Sequence, residues 1–293
     1  YRGPDDSIFE YFNFFINNVI YYVTLGFHRL KIVGLDDSGN QPFYEDSVYL
    51  MCNGEIYNYK ELIIKYDLDT KITSDCHVIL EIYKKHGIKT VLESINGEFA
   101  FVLMDKTKGL IYMCRDIFGI RPLFSNIDSL LGENSECCDL IITSEQKSND
   151  FNSHQLDPAT IYEIDFNDNI KLLSKTKYFD IDKCQNMHII GESLPNDHGR
   201  KSFKLKNSSE IKNDIKNILI KTVEERLMSD RPIGFLLSGG LDSSLILTIA
   251  LDLINNDYNK YSYLFTNGVH VFTVGLEENN DKNDVYYSKK LIE

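Results

Sequence analysis

The sequence is poor in basic charge, has no long apolar run and shows no paired cysteines. Its 293 residues carry 31 Lys and Arg against 44 Asp and Glu, a net charge of −13. Counterion release on nucleic acid, or attraction to an anionic membrane, needs clustered cations. Neither partner is expected, although a local basic pocket is allowed. The most apolar stretch, Leu245 to Ile254, is interrupted by Asp252 and falls well short of the ~20 residues that span a bilayer. No membrane association is expected. The six cysteines, at 52, 76, 114, 137, 138 and 184, form no C-x-x-C pair and no regular spacing with His, which argues against a structural zinc site or a disulfide framework. A reducing, cytoplasmic compartment fits. Tyr1-Arg2-Gly3-Pro4-Asp5 has neither the basic nor the apolar part of a secretion signal,. It does not begin with Met, so a longer native chain is expected.

What is present falls into an order. Hydrophobic residues at 43% and charged residues at 26% match soluble globular proteins, and the length suggests about two domains. Val19 to Leu25, Ser47 to Asn53, Glu98 to Asp105, Gly109 to Arg115, Asp139 to Thr143 and Thr160 to Ile164 read as strands, rich in Val, Ile, Tyr and Phe,. Two helical stretches interrupt them. Asp75 to His86 puts Val78, Ile79, Ile82 and Tyr83 on one face, and Tyr59 to Tyr66 is shorter,. The pattern implies an α+β sandwich with helices packed on sheets.

From Asp182 to Ser208 the periodicity gives way to polar residues, the expected linker,. Beyond it, Ile211, Ile215, Ile218, Leu219, Val223 and Leu227 recur at helical spacing, with Ser208 or Ser209 as N-cap,. Pro232 to Leu237 reads as a buried strand, Leu241 to Leu253 as an apolar helix and Val269 to Gly275 as a second strand. This βαβ order implies a parallel sheet with ligands at the carboxyl ends of its strands. Asn256 to Asn267 reads as a surface insertion, and Asp284 to Glu293 as a helix.

Between that strand and helix lies Ser238-Gly239-Gly240-Leu241-Asp242-Ser243-Ser244. Adjacent glycines let backbone approach an anion, and the helix N-terminus behind them points N–H groups and partial positive charge at the same place. Phosphate is the natural ligand. Asp242 would repel it unless a cation such as Mg²⁺ intervened. No G-x-x-x-x-G-K-[ST] is present, so this is not a Walker A loop,. A Gly-Gly alone could serve only as a turn, but the complete string after an apolar strand resembles the pyrophosphate loop of the N-type ATP pyrophosphatases.

Upstream, Arg2-Gly3-Pro4-Asp5, His28 to Val33 (HRLKIV), Asn53 to Asn58 (NGEIYN), Ser74-Asp75, Gly97 to Phe101 (GEFAF), Arg115 to Leu123 (RDIFGIRPL) and Ser144-Glu145 follow in that order. Together with SGGLDSS they resemble glutamine-dependent asparagine synthetases over nearly the whole chain, Arg2 to Gly275. The resemblance implies an Ntn-type (class II) glutaminase domain with an αββα sandwich, its first part missing, over 1–182. A linker follows at 183–208, and 209–293 would open an α/β parallel-sheet ATP-pyrophosphatase domain. It implies asparagine formation from aspartate, glutamine and ATP through a β-aspartyl-AMP intermediate, in a cytoplasmic enzyme for which a homodimer is allowed.

The resemblance assigns the side-chain amide of Asn53 and the N–H of Gly54, placed at a strand end, to an oxyanion hole, a pair that suits the tetrahedral intermediate of amide cleavage. Arg29 would clamp the α-carboxylate of glutamine, with Leu30, Lys31, Ile32 and Val33 beside it, because a planar guanidinium matches a carboxylate bidentately. Glu55 and Asp75 would take the α-ammonium. Read alone, Asp75 is as well suited to cap a helix. Ser238, Gly239, Gly240, Leu241, Asp242 and Ser243 would hold the phosphates of ATP, Asp242 through Mg²⁺, with Leu236 and Val274 around adenosine. Arg115 and Asp116 read as a buried structural pair, the histidines as structural, and His77, where the family commonly has Glu, as surface variation.

The family's nucleophile is an N-terminal cysteine whose own α-amine acts as base. This chain starts at Tyr1, and none of its internal cysteines carries a free α-amine. Two explanations stand: a partial sequence with the Cys upstream, or a degenerate glutaminase. On either, the 293-residue chain alone is expected to lack glutaminase activity, and most of the aspartate site is expected outside it. A relative with another acceptor, of the β-lactam or peptide-cyclising type, and a noncatalytic protein binding glutamine or ATP stay open as alternatives.

Overall fold

The computed structural model describes residues 3–130, 139–146, 153–180, 207–265, 268–275 and 284–292. The chain divides into two compact units, Tyr1–His188 and Ile189–Glu293. The first opens with a hairpin of β1 (Asp6–Ile16) and β2 (Val19–Arg29), antiparallel, with Asp6 opposite Arg29 and Ile16 opposite Val19. Asn17 and Asn18 turn it, with φ of 47° and 68°, a doubly left-handed geometry whose twist suits a two-residue loop. β1 lies outside the expected strands. Its solvent side carries Phe9, Tyr11 and Phe15, at least half exposed, and aromatics on both faces hide the two-residue period.

β3 (Phe43–Glu45), β4 (Val48–Ile56), β5 (Gly97–Asp105), β6 (Leu110–Arg115), β10 (Thr160–Asp165) and β11 (Lys171–Lys177) make a six-stranded sheet in the order β11-β10-β6-β5-β4-β3. Every neighbouring pair is antiparallel. Short strands β7 (Phe124–Ser125), β8 (Ile142–Thr143) and β9 (His154–Gln155) form a second sheet. Three helices, α1 (Tyr59–Lys65), α2 (His77–His86) and α3 (Ile88–Ser94), lie between β4 and β5 in the chain.

α2 buries the four residues its spacing predicted, Val78, Ile79, Ile82 and Tyr83. The Tyr83 hydroxyl donates to Asp105 at 2.7 Å, which fixes the helix on the sheet face of Leu103 and Phe101,. On the opposite face, Tyr49, Met104 and Phe166 pack with Phe12, Phe14, Tyr21 and Val23 of the hairpin. Farther along, Ala100, Met113 and Ile164 pack with Leu123, Ile127 and Leu156. Among the described residues this gives one helical layer and two β layers. A second helical layer of the expected αββα sandwich is not among them.

Two local readings change. Arg115 and Asp116 are buried and structural, but no hydrogen bond joins one to the other. Arg115 donates to the carbonyls of Arg121 at 2.8 Å and Leu156 at 2.6 Å, while Asp116 accepts from the backbone of Phe118, Ile120 and Arg121 at 3.0, 3.0 and 3.1 Å. Each folds the turn from its own side. Gly119 is required there, because at φ 63° a Cβ would lie 2.8 Å from Arg115 Nη2,. His77 is not surface variation: it stacks on Phe43 with centroids 4.7 Å apart.

In the second unit, α4 (Ser208–Arg226) is capped by Asn207, one residue before the expected serines. Its side chain accepts from the Glu210 N–H at 2.9 Å, and Glu210 accepts from the Asn207 N–H at 3.0 Å. This reciprocal box outcompetes a lone serine. Of the apolar residues expected to face a core, Val223 and Leu227 do so, whereas Ile215 and Ile218 are exposed. The linker region 183–206 lies outside the described residues.

β12 (Gly234–Leu236), α5 (Leu241–Asn256) and β13 (His270–Phe272) form the anticipated βαβ unit, with Gly234 parallel to His270 and Leu236 to Phe272. The first strand is not buried as expected: Leu236 is 80% exposed, and Leu237 is the buried residue. Nor are residues 256–265, the described part of the expected surface insertion, all at the surface. α6 (Tyr258–Tyr261) and the turn after it bury Tyr261, Leu264 and Phe265 against Val223, Leu227, Ala250 and Ile254. These three stand at helical i, i+3, i+4 spacing, which the surrounding polar residues obscured. α7 (Asp284–Ile292) closes the described chain. No described helix is long and apolar enough to cross a membrane.

Candidate functional site

A cavity of about 1130 Å³ in the first unit is walled by the end of β2, the loop after it, the middle of β4 and the turn into α2. Its size suits a small polar substrate with room for water. Arg29, Leu30, Ile32, Val33, Asn53, Gly54, Glu55 and Asp75 all line it. Eight of the nine residues assigned to glutamine therefore converge from segments far apart in sequence. Lys31 does not line it: its ammonium is tied to Asp6 at 2.7 Å and Asp37 at 3.3 Å. Gln41, Cys76 and Arg121 line the cavity without having been picked out in the sequence as glutamine-site residues. Gln41 has a visible task, bonding the Cys52 N–H at 2.6 Å and C=O at 3.1 Å and so bracing β4 one residue before Asn53.

β4 runs on to Ile56, so Asn53 and Gly54 sit within the strand and not at its end. They are paired across the ladder with Ala100 and Phe99. The Gly54 carbonyl is occupied by the Cys76 thiol at 3.3 Å. The Asn53 amide makes no hydrogen bond to any described residue and lines the cavity.

Arg29 is 5% exposed, and loop 33–40 wraps its guanidinium. Nη1 donates to the Asp36 carbonyl at 2.7 Å and Asn40 Oδ1 at 2.9 Å, and Nη2 to the carbonyls of Val33, at 3.3 Å, and Gly34. Both terminal nitrogens are thus engaged in shaping the wall that Val33 presents.

Asp75 does not cap α2, which begins at His77 behind Cys76 with no side-chain cap. Its Oδ2 accepts from the Ile56 N–H at 2.6 Å. Glu55, one residue before Ile56, leaves Oε2 buried with no partner among the described residues. Burial, reinforced by the charge of Asp75, pushes the Glu55 carboxyl up to about 8, although Arg121 pulls the other way. Burial pushes Asp75 up to about 6 against the N–H groups of Ile56 and Cys76 that hold it down. Two crowded carboxyls with one bare oxygen form a socket for a cation. The Cys76 thiol is held well above its ordinary range by Cys52 and by burial, and Cys114 by burial. Neither is poised as a nucleophile.

In the second unit, the Leu237 carbonyl receives the hydroxyls of Thr273 at 2.8 Å and Ser288 at 3.0 Å, which fixes the strand end from which the loop departs. Gly239 has φ 73°, and a Cβ there would stand 2.7 Å from Tyr287 Cβ and 2.9 Å from the Ser288 N. Gly240 is the N-cap of α5 and has no side-chain cap. The Ser238 and Ser243 hydroxyls lie 3.1 Å apart, and Ser244 donates to the Gly240 carbonyl at 2.6 Å. Leu241 and Asp242 are exposed on the first turn, and Leu236 and Val274, at 80% and 86% exposure, stand open at the strand ends. A sixteen-residue helix with no side-chain cap behind a glycine turn, with the exposed Ser238 hydroxyl beside it, is a fitting cradle for phosphate,.

Residues 1–193 match the family model of the glutamine amidotransferase domain, and residues 214–293 that of asparagine synthase. The chain is 32% identical over 288 residues to a probable glutamine-hydrolysing asparagine synthetase of Acanthamoeba polyphaga mimivirus, and 30% identical over 290 residues to the human asparagine synthetase. Each alignment takes in 96% of this chain and 48% of the relative, so the chain spans about half the length of these curated relatives. A solved glutamine phosphoribosylpyrophosphate amidotransferase of B. subtilis is 19% identical, with a TM-score of 0.40 over 53% of this chain and 35% of that one. The first unit is therefore of the glutamine amidotransferase class. The chain belongs to the glutamine amidotransferase domain family, and with the asparagine synthase match at 214–293 behind that domain it is similar, over the half of their length that it spans, to glutamine-hydrolysing asparagine synthetases.

Proposed function

We propose that this chain carries the glutamine site and the ATP phosphate loop of a glutamine-hydrolysing asparagine synthase, with its domain boundary in 183–208. The observation that carries the glutamine reading is the bare, buried Glu55 oxygen beside Asp75. An α-ammonium seated there supplies the missing charge and donors. The α-carboxylate goes to the opposite wall, toward Arg29 and the backbone of Leu30 to Val33. A bidentate clamp requires Arg29 to exchange loop carbonyls for the ligand. The side-chain amide then points toward Asn53 and Gly54, whose donors hold the oxyanion formed when a thiolate attacks.

In the second unit, backbone N–H groups at Gly239 to Asp242 and the hydroxyls of Ser238 and Ser243 receive the phosphates of ATP. Mg²⁺ would offset charge between them and Asp242, and Leu236 and Val274 offer apolar surface to adenine. Aspartate adenylation followed by ammonia attack gives asparagine and AMP. The test is a product assay on the full-length protein with glutamine, aspartate and MgATP. Asparagine, glutamate, AMP and pyrophosphate in equal amounts support the reading. Glutamine-dependent AMP release with another acceptor and none with aspartate contradicts the asparagine assignment.

A further inference from the structure

β3 and the first turns of α2 bring together three metal-competent side chains, none of which lines the cavity. His77 and Glu81 stand four residues apart on α2 and share one face of the helix,. Glu45 reaches them from the end of β3. One ligand atom from each of the three lies within 4.8 Å of the other two. His77 is held flat on Phe43, with ring planes 7° from parallel, and its ring nitrogens make no hydrogen bond to any described residue. The Glu81 side chain is only 13% exposed, yet its carboxyl faces that of Glu45. Lys84 does not resolve this crowding. Its Nζ lies 2.8 Å from Glu45 and 2.8 Å from Asp46, but 3.7 Å from Glu81. Its shorter contacts go to the exposed carboxylates, so a single ammonium is shared among three carboxyls.

We propose that Glu45, His77 and Glu81 form a divalent-cation site, suited to Zn²⁺, that ties β3 to α2. One imidazole nitrogen and two carboxylate oxygens, with water in a fourth position, match Zn²⁺ better than Mg²⁺ or Ca²⁺, which favour all-oxygen shells. Metal–ligand bonds of about 2.0–2.2 Å put tetrahedral neighbours roughly 3.4 Å apart. The site closes by a small rotation of Glu45, whose side chain is 46% exposed. Two carboxylates then balance the dication, and Lys84 retires to Asp46, which it already touches. The bound ion would stiffen the turn that carries Asp75 into the cavity, two residues before His77. Its role is structural, since no ligand reaches the reacting groups.

The test is calorimetric titration of the metal-stripped 293-residue chain with Zn²⁺, with Co²⁺ absorption as a report on the donor atoms. The expected result is one equivalent bound, a raised Tm and a Co²⁺ spectrum without thiolate charge-transfer bands. Glu81→Gln and His77→Ala should each weaken binding at least tenfold. Lys84→Met, which removes the competing cation, should tighten it, a gain that misfolding cannot imitate. Equal affinity in the His77→Ala/Glu81→Gln double variant, thiolate bands showing capture by cysteines, tighter binding of Mg²⁺ than Zn²⁺, or no binding would each overturn the proposal.

Discussion

Asp75 accepts the Ile56 N–H at 2.6 Å while Glu55, the residue before Ile56, keeps a buried oxygen bare beside it. One carboxyl is anchored and the other has an oxygen with no partner among the described residues. Because burial raises both, to about 6 for Asp75 and about 8 for Glu55, the folded state binds more protons than the unfolded chain between roughly pH 4 and 8. The first unit should therefore lose stability as pH rises through that window. Thermal unfolding followed from pH 5 to pH 8 should show Tm falling, and Glu55→Gln should flatten the fall. A Tm that rises equally in both proteins would exclude the raised carboxyls.

The same linkage sets the pH dependence of the ligand. An ammonium needs an ionised Glu55, so glutamine should expel a proton when it binds below pH 8 and bind more tightly as pH climbs from 6 to 8. Titrations in buffers of different ionisation heat count that proton directly.

Asn53, half-buried on the cavity wall, offers the cavity an amide with no hydrogen-bond partner among the described residues. In the full-length enzyme, Asn53→Ala should lower kcat for ammonia release by about 10²–10³ with little change in KM, since the donor acts on charge that develops in the transition state.

The Gly239 turn is sterically closed to larger residues, with a Cβ 2.7 Å from Tyr287 Cβ and φ at 73°. Gly239→Ala should destabilise the second unit by about 1–3 kcal/mol, the cost of left-handed strain plus a displaced α7. Asn207→Ala, which dissolves the capping box, should cost about 1 kcal/mol. Urea unfolding measures both, and ATP binding should weaken in the first variant only.

Much of this site can be read directly from the sequence, because its residues lie in short motifs. NGEIYN and SD each bring their carboxylate to the cavity, and SGGLDSS encodes a turn, a helix start and its hydroxyls in seven residues. The helical face of Val78, Ile79, Ile82 and Tyr83 is equally plain. What stayed hidden depends on distant partners. Nothing near Arg29 announces that loop 33–40 occupies its nitrogens, or that Lys31 turns away to Asp6 and Asp37. Gln41 braces β4 across eleven residues, a contact that only the folded sheet creates. β1 escaped because aromatics stand on both of its faces, and Tyr261, Leu264 and Phe265 because polar neighbours mask their spacing.

The central claim is that the Glu55–Asp75 socket holds the α-ammonium of glutamine. Calorimetric titration of the 293-residue chain at pH 8 with L-glutamine and with N-acetyl-L-glutamine, whose amine is neutralised, tests it most directly. The account predicts one-to-one binding of glutamine, at least tenfold weaker binding of the acetylated compound, about 1.4 kcal/mol or more, and loss of that preference in Glu55→Gln. Equal affinity for the two compounds, or an undiminished preference in Glu55→Gln, would contradict it.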